Sequence, residues 1–169
     1  WRDLQAALPI KHILAGQPAS YPNSLRAEAC VAGGAWKWSG VHFEWLTPFK
    51  ETDKVKDNDK SCVLRVISHG HALLLTGDLS QEGEKILVQR YNQRLSSQVL
   101  VLGHHGSSSA SNINFIEAVS PRYAIASVGY VNPYHHPHNR VMALLGKKNI
   151  FLKRTDYQGE LGVQFGRQQ

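Results

Sequence analysis

QVLVLGHHGSSSAS, residues 98–111, is the stretch that decides the fold of this chain. Its apolar segment 99–102 predicts a buried strand, which runs into Gly103 and two adjacent histidines, His104 and His105. A buried strand that ends in paired imidazoles between glycines is one way in which α/β folds place metal ligands at a sheet edge. The alternative is a loop whose histidines only hydrogen-bond to the backbone.

Two other loops have the same placement, directly after an apolar strand. One carries Asp78 (TGD, residues 76–78), and the other is NPYHHPH, residues 132–138. Because strands separated by helices tend to be parallel, the loops that follow them gather at one sheet edge. That edge would collect Asp78 and up to five of the nine histidines, a ligand set that suits Zn²⁺, Mn²⁺ or iron. Asp78 could instead cap the helix predicted over residues 80–91.

A Ser–His–Asp nucleophile built on Ser107 is the competing enzymatic interpretation. The chain has no G-x-S-x-G motif, and Ser107 follows its histidines in a polar run. Ser107 is therefore better explained as orienting a histidine or contacting an anionic substrate.

The composition is that of an ordinary globular domain. The chain has 169 residues, of which 42% are hydrophobic and 19% charged, and its apolar runs are strand-sized, so we expect no membrane span and no signal peptide. The net charge of +6 permits a polyanionic partner. Cys30 and Cys62 match no metal-binding spacing; they would be thiols in a reducing compartment and could pair in an oxidising one.

The elements around these loops alternate between strands and helices, which predicts an α/β fold. We expect strands within residues 28–46, a hairpin over 61–76, and a helix over 80–91. A helix capped by Ser111, a strand over 123–127, a helix over 139–145 and final strands over 150–152 and 161–165 follow, around a polar turn at RTDYQG. Trp36, Trp38 and Trp45 are expected to pack against the sheet, with a base-stacking surface as the alternative.

Five segments carry a resemblance to a known family, and they occur in the family's order. They are NDKSCVLRV, LLLTGDLS, VLGHHGSSS, SVGYVNPYHHPH and RTDYQG, which cover most of residues 58–159. The tract CVAGGAWKWSGVHFEWLTP adds to them. Together they resemble the metallo-β-lactamase superfamily, most closely the C-terminal domain of the ComEC family of competence DNA-uptake channel proteins.

The resemblance implies a metallo-β-lactamase-like αββα sandwich, with residues 1–169 forming its truncated C-terminal portion. It also implies a metal-dependent nuclease that degrades the DNA strand that is not transported, with Zn or Mn as cofactor and the channel portion of the same protein as partner. The implied catalytic residues are Asp78, His104, His105 and His136. Asp78 and His104 would be the metal ligands, and Ser107, Asn132 and His138 would contact substrate.

The chain also departs from the family in two respects. The family's H-x-D-x-D-H run is absent, and the region of its middle histidine ligand offers Thr47 and Asn58 instead. We therefore expect this chain to be the part of the domain that follows those ligands, with weak or no metal binding and little activity on its own. The edge left by the missing part could pair with a second copy.

The resemblance also implies a location, since ComEC proteins lie in the bacterial inner membrane with soluble domains on the periplasmic side. Disulfides persist there, so a Cys30–Cys62 bridge is expected. Two other functions stay open: another phosphodiesterase of the same fold, such as a phosphocholine esterase, and a non-catalytic module that guides DNA. The residues that precede Trp1 in the parent gene would discriminate between catalysis and guidance.

Overall fold

A seven-stranded mixed sheet organises residues 6–49 and 56–166, which are the residues described by the computed structural model. Its strands lie side by side in sequence order, and two short strands form a separate parallel pair. The strands are β1 Leu14–Ala15, β2 Glu28–Ala29, β3 Ala35–Trp38, β4 Val41–Trp45, β5 Leu64–Ser68, β6 His71–Leu75, β7 Val99–Val101, β8 Tyr123–Ala126 and β9 Phe151–Arg154. Within the same residues the longer α-helices are α1 Gln81–Tyr91, α2 Ile113–Val119 and α3 Asn139–Lys147, followed by the short α4 Thr155–Gln158.

The sheet changes from antiparallel to parallel pairing at strand β6. Strands β3 to β6 pair antiparallel, and the β5–β6 hairpin turns at His69 and Gly70, whose φ angles of 50° and 77° suit a tight two-residue turn. Strands β6 to β9 pair parallel. Parallel neighbours need a crossover connection, which α1, α2 and α3 supply in turn. The carboxyl ends of β6, β7 and β8 therefore share one edge of the sheet.

The hydrophobic core lies between the parallel strands and the helices. On β6 and β8 alternate residues are buried, as expected when helices cover one sheet face. Leu74 and Leu100 from the sheet meet Leu87 of α1, Phe115 of α2 and Leu145 of α3, all of which are buried. The three crossover helices are thereby fixed against the strands whose ends carry the predicted site.

The N-terminal caps of α1 and α2 can be compared with the caps that the sequence predicts. Ser80 caps α1 by accepting a hydrogen bond from the backbone N–H of Glu82, so the helix starts where the sequence predicts it. Asn112, and not Ser111, caps α2, and its side chain accepts from the N–H of Asn114. Ser111 is instead buried, and its N–H is bonded elsewhere.

Several other expectations about single elements were wrong. Residues 161–165 form no strand, and the RTDYQG segment contains the helical turn α4. Trp38 is 72% exposed and does not pack on the sheet. It lies at the end of β3, which is an edge strand with a fully exposed burial pattern. Trp36 and Trp45 do contact each other, with ring centroids 5.6 Å apart.

A disulfide joins Cys30 and Cys62, with their Cα atoms 6.0 Å apart. Cys30 follows β2 directly, and Cys62 lies just before β5. The bridge therefore ties the small β1–β2 sheet to the antiparallel half of the main sheet.

The predicted α/β class is confirmed by the mixed sheet and its crossover helices. The αββα sandwich stays a prediction, as does the assignment of residues 1–169 to one partial domain. None of the described helices is both long and apolar enough to cross a membrane.

Candidate functional site

Three loops meet at the carboxyl edge of the parallel strands, as the sequence predicted. They are residues 76–80 after β6, 102–111 after β7 and 127–138 after β8. Backbone hydrogen bonds connect them: His104 N–H donates to the Gly77 carbonyl over 2.9 Å, and His138 N–H donates to the Gly106 carbonyl over 2.9 Å. The loops are thus held as one unit, which fixes the positions of the side chains that they carry.

Asp78 and His105 form the closest acidic–basic contact of the site. The Nε2 atom of His105 lies 3.8 Å from Oδ1 of Asp78, and both side chains are about half exposed. On its other side, Nδ1 of His105 lies 2.7 Å from the Ser127 carbonyl oxygen. A carbonyl can only accept, so Nδ1 carries a proton, and Nε2 is the ring nitrogen that faces Asp78.

The histidine pair has a backbone conformation that few side chains adopt. His104 (φ 48°, ψ 46°) and His105 (φ 59°, ψ 18°) are both left-handed, which costs on the order of 1–2 kcal/mol for each non-glycine residue. Gly106 follows with φ 81°, and a Cβ atom there would stand 2.6 Å from Cβ of Pro137. The glycine therefore allows loop 127–138 to approach the histidines closely.

His104 is oriented by two serines of its own loop. Its Nδ1 lies 3.2 Å from Oγ of Ser109, which is 3.1 Å from Oγ of Ser107. Ser107 is buried, and its N–H donates to the His104 carbonyl over 2.9 Å. Its hydroxyl reaches the His104 ring through Ser109, which the sequence analysis did not predict as a site residue. Of the two roles predicted for Ser107, the contacts favour orientation of a histidine. The substrate contact stays a prediction.

His136 joins the histidine pair from the third loop. Its ring stands edge-on to His104 with centroids 6.0 Å apart, and it stacks on Tyr134 at 5.8 Å. Burial lowers the pKa of His136, and the nearby imidazoles of His104, His105 and His138 lower it further. Its Nδ1 atom is buried and has no hydrogen-bond partner among the described residues.

The two remaining predicted residues shape the third loop. The side-chain amide of Asn132 donates to the His136 carbonyl over 2.5 Å. Nδ1 of His138 accepts a hydrogen bond from the N–H of Arg140 and so caps α3. These contacts hold the loop, and the predicted substrate contacts of Asn132 and His138 stay predictions.

Glu84 of α1 is a buried residue of the site that sequence reasoning missed. Its side chain is 1% exposed, and its carboxylate accepts the N–H groups of Ser111 over 2.8 Å and Asn112 over 2.6 Å. Burial raises the pKa of Glu84 to about 7, although the two backbone donors act in the opposite direction. Its position three residues before the core residue Leu87 was the available signal that it faces inward.

Arg140 of α3 and Gln81 of α1 hold the same loop from either side. Nη2 of Arg140 donates to the carbonyls of Ser108 over 2.9 Å and Ala110 over 2.7 Å, and Nε2 of Gln81 donates to the Ser108 carbonyl over 2.9 Å. No sequence pattern identifies these residues, because each acts on backbone carbonyls that become neighbours only in the folded chain.

The described donors do not form a metal site by themselves. In residues 6–49 and 56–166 no three histidine, cysteine, aspartate or glutamate side chains are placed to hold one ion, whereas protein zinc sites use three or four such ligands. Thr47, which the sequence offers near the family's middle histidine, is buried and binds the backbone of Ser61 and Val63 through its hydroxyl. The predicted roles of Asp78 and His104 as metal ligands stay predictions.

A polar cavity of about 470 Å³ opens beside Asp78. Tyr21 borders it from the N-terminal region, and Asn58, Lys60 and Ser61 border it from the segment before β5. Ser61 also accepts the N–H of Asp78 over 3.0 Å. Asp57 borders the cavity as well, and its carboxylate lies 3.2 Å from the ammonium group of Lys60.

The chain is similar to one segment of several longer curated proteins. It is 49% identical over 160 residues to Competence protein ComA of Neisseria gonorrhoeae, which covers 95% of this chain and 22% of that protein. It is 33% identical to ComE operon protein 3 of Bacillus subtilis (87% of this chain, 19% of that protein) and 35% identical to Recombination protein 2 of Haemophilus influenzae (80% and 17%). The chain thus spans about a fifth of the length of these relatives. No protein-family model matches it.

Proposed function

We propose that the chain belongs to a DNA-uptake protein, since 80–95% of its length corresponds to one segment of ComEC-type competence proteins. We also propose that the sheet edge where its three loops meet contacts the phosphodiester backbone of incoming DNA. The observation that carries this proposal is the meeting of Asp78, His104, His105 and His136 on three loops that are bonded to one another. The net charge of +6 favours a polyanionic ligand.

The side chains at this edge suit a phosphodiester substrate. His105 presents a basic nitrogen beside Asp78, so the pair can accept a proton from a water molecule or, when His105 is protonated, donate to a phosphate oxygen. The cavity beside Asp78 is bordered by Lys60, whose ammonium group can bind a neighbouring phosphate. Lys60 is paired with Asp57 of the same cavity at 3.2 Å, so a phosphate would have to replace the Asp57 carboxylate as its partner.

For the whole protein we propose hydrolysis of the DNA strand that is not transported, with Zn or Mn as cofactor. Among residues 6–49 and 56–166 no three donors are placed to hold one ion, so the hydrolysis is assigned to the complete domain and requires ligands from outside these residues. This chain would supply the histidine edge and the recess beside Asp78.

We also propose a periplasmic location, as a soluble domain of an inner-membrane protein whose channel portion is its partner. The Cys30–Cys62 disulfide supports an oxidising compartment, because cytosolic thiols are kept reduced.

A binding experiment tests the proposed contact with DNA. The affinity of the full chain for a fluorescein-labelled oligonucleotide is measured by anisotropy in EDTA at several salt concentrations. We expect an affinity that falls with salt and is about tenfold lower in His105→Ala, since a contact to a charged group is worth roughly 1.5–3 kcal/mol. His69→Ala is the matched control, because His69 is an exposed histidine at the opposite end of β6. An unchanged affinity in His105→Ala would refute the proposal.

A non-catalytic module that guides DNA is the second candidate, since the histidine edge could bind the phosphodiester backbone without cleaving it. Cleavage of the same oligonucleotide by the parent protein, with Mn²⁺ and with EDTA, separates the two functions. Metal-dependent cleavage that is lost in Asp78→Ala supports hydrolysis. Binding without cleavage supports guidance. Robust cleavage by this chain alone would contradict the proposal that the complete domain supplies metal ligands from outside the described residues.

A further inference from the structure

We propose that the tyrosine loop, residues 129–135 with Tyr130 and Tyr134, is a stacking surface for unpaired bases and makes the neighbouring histidine edge selective for single-stranded nucleic acid. This inference rests on the proposed function, since it names the form of DNA that the same edge accepts. The tyrosine loop belongs to the connection between β8 and α3.

Three large side chains of the tyrosine loop extend into solvent. Tyr130 is 91% exposed, Val131 86% and Tyr134 77%. Burial of one such side chain is favourable, and an exposed patch of this kind next to a polar site is typical of an interaction surface. Tyr134 contacts the His136 ring on one side and still keeps most of its surface exposed.

The tyrosine loop is held in place by hydrogen bonds within the connection between β8 and α3. Asn132 donates from its side chain to the His136 carbonyl and accepts at its own carbonyl from the N–H of His135 over 3.1 Å. The N–H of His138 then fastens the end of the loop to Gly106. A surface that is ordered before binding loses less conformational entropy when a ligand stacks on it.

Ring contacts connect the tyrosine loop to the candidate site. Tyr134 stacks on His136 with an interplanar angle of 18°, and His136 in turn stands against His104. The two ring contacts have centroid distances of 5.8 Å and 6.0 Å, so the rings of Tyr134, His136 and His104 follow one another along the surface. A base on Tyr134 would thus place a nearby phosphate at the histidines.

The chemistry of this surface fits one class of partner. Uncharged aromatic rings beside imidazoles, on a chain of net charge +6, suit a polyanion that exposes flat apolar rings. Single-stranded nucleic acid has both properties, and each base that stacks on an aromatic side chain strengthens binding regardless of its identity. A duplex keeps its bases stacked inside and offers Tyr134 only its backbone.

The test compares single-stranded and duplex ligands on the full chain. Anisotropy with a labelled 15-nucleotide mixed-sequence strand and with its duplex is measured in EDTA at fixed salt, so that no cleavage contributes. For Tyr134→Ala and Tyr130→Ala we expect about a 5- to 100-fold loss of affinity for the single strand and little change for the duplex. Tyr134→Phe should retain binding, because it keeps the ring.

Trp38→Ala provides a matched control, since Trp38 is also an exposed aromatic residue but lies on the far edge strand β3. Unchanged single-strand affinity in both tyrosine variants would overturn the inference, and so would an equal loss for strand and duplex. If the tyrosine variants lose single-strand binding while His105→Ala does not, the stacking surface stands and the proposed phosphate contact fails.

Discussion

The two halves of the main sheet are stabilised in different ways. In the antiparallel half, no residue of β3, β4 or β5 is fully buried, and the strands are held by contacts such as the Trp36–Phe43 ring stack at 5.0 Å. In the parallel half, helices cover one face and residues such as Leu74 and Leu100 are buried. The site lies at the end of the parallel half, because only helix-connected strands send their loops to a common edge.

Core truncation should expose this difference most strongly. Leu74→Ala removes a side chain that is 0% exposed from the parallel half, and we expect it to lower the free energy of unfolding by about 3–5 kcal/mol. Trp36→Ala, in the antiparallel half, removes a side chain that is 38% exposed and should cost roughly half as much, about 1–2 kcal/mol. Urea unfolding of both variants measures the difference, and equal losses would contradict the comparison. Leu73→Ala, one residue along β6 on the opposite face, is the control for strand effects.

Loss of the disulfide should come next, and it acts on the antiparallel side. Cys30 and Cys62 are 32 residues apart in sequence, and closing a loop of that length stabilises a fold by about 2–4 kcal/mol. The paired variant Cys30→Ser/Cys62→Ser should lower the unfolding free energy by that amount in urea. A variant that unfolds at the same urea concentration as the parent would show that the bridge adds no stability.

The free energy of unfolding should depend on pH because of the buried Glu84 in the parallel half. Its pKa is raised from 4.5 to about 7 by burial, so the folded state binds the proton more tightly than the unfolded state. The unfolding free energy should therefore fall as the pH rises from about 4.5 to about 7, by about 3 kcal/mol in total. Urea unfolding at a series of pH values measures this slope. Glu84→Gln should flatten it, and Glu82→Gln, an exposed carboxyl on the same helix, should leave it unchanged.

Arg140 tests whether the site loop is fastened to the helices. Arg140→Ala removes the donor for the carbonyls of Ser108 and Ala110, and we expect a loss of about 1–2 kcal/mol in unfolding free energy. Hydrogen exchange at the amides of residues 107–112 should accelerate, since the loop opens more easily. Lys147→Ala, at an exposed position of the same helix, should change neither quantity.

The smallest effect on stability is expected at the histidine pair itself. His105→Gly loses the contacts to Asp78 and Ser127, but glycine adopts the φ of 59° without strain. The two effects offset each other, so the unfolding free energy should change by less than about 1 kcal/mol while affinity for DNA falls. A loss above 2 kcal/mol in urea would mean that His105 has a structural role.

Much of the parallel half could be predicted from local patterns. The apolar runs before Asp78 and His104 indicated strands, and Ser80 marked the start of α1 because a capping side chain acts within its own turn. Predictions failed where a local pattern does not determine exposure. The alternating tryptophans of 36–45 suggested burial, yet Trp38 lies on an edge strand and is exposed. The apolar residues of 161–165 suggested a strand that does not form.

For the site, the sequence by itself determined which loops follow strands and therefore that Asp78, His104, His105 and His136 gather at one edge. Strand periodicity and short crossover helices are local properties, and they fix the side of the sheet on which a loop emerges. The tertiary structure decided which of these side chains touch: His105 faces Asp78, while His104 faces Ser109. It also decided that Glu84 and Arg140 hold the loop, because hydrogen bonds between residues about 30 positions apart depend on helix packing and leave no periodic trace in the sequence.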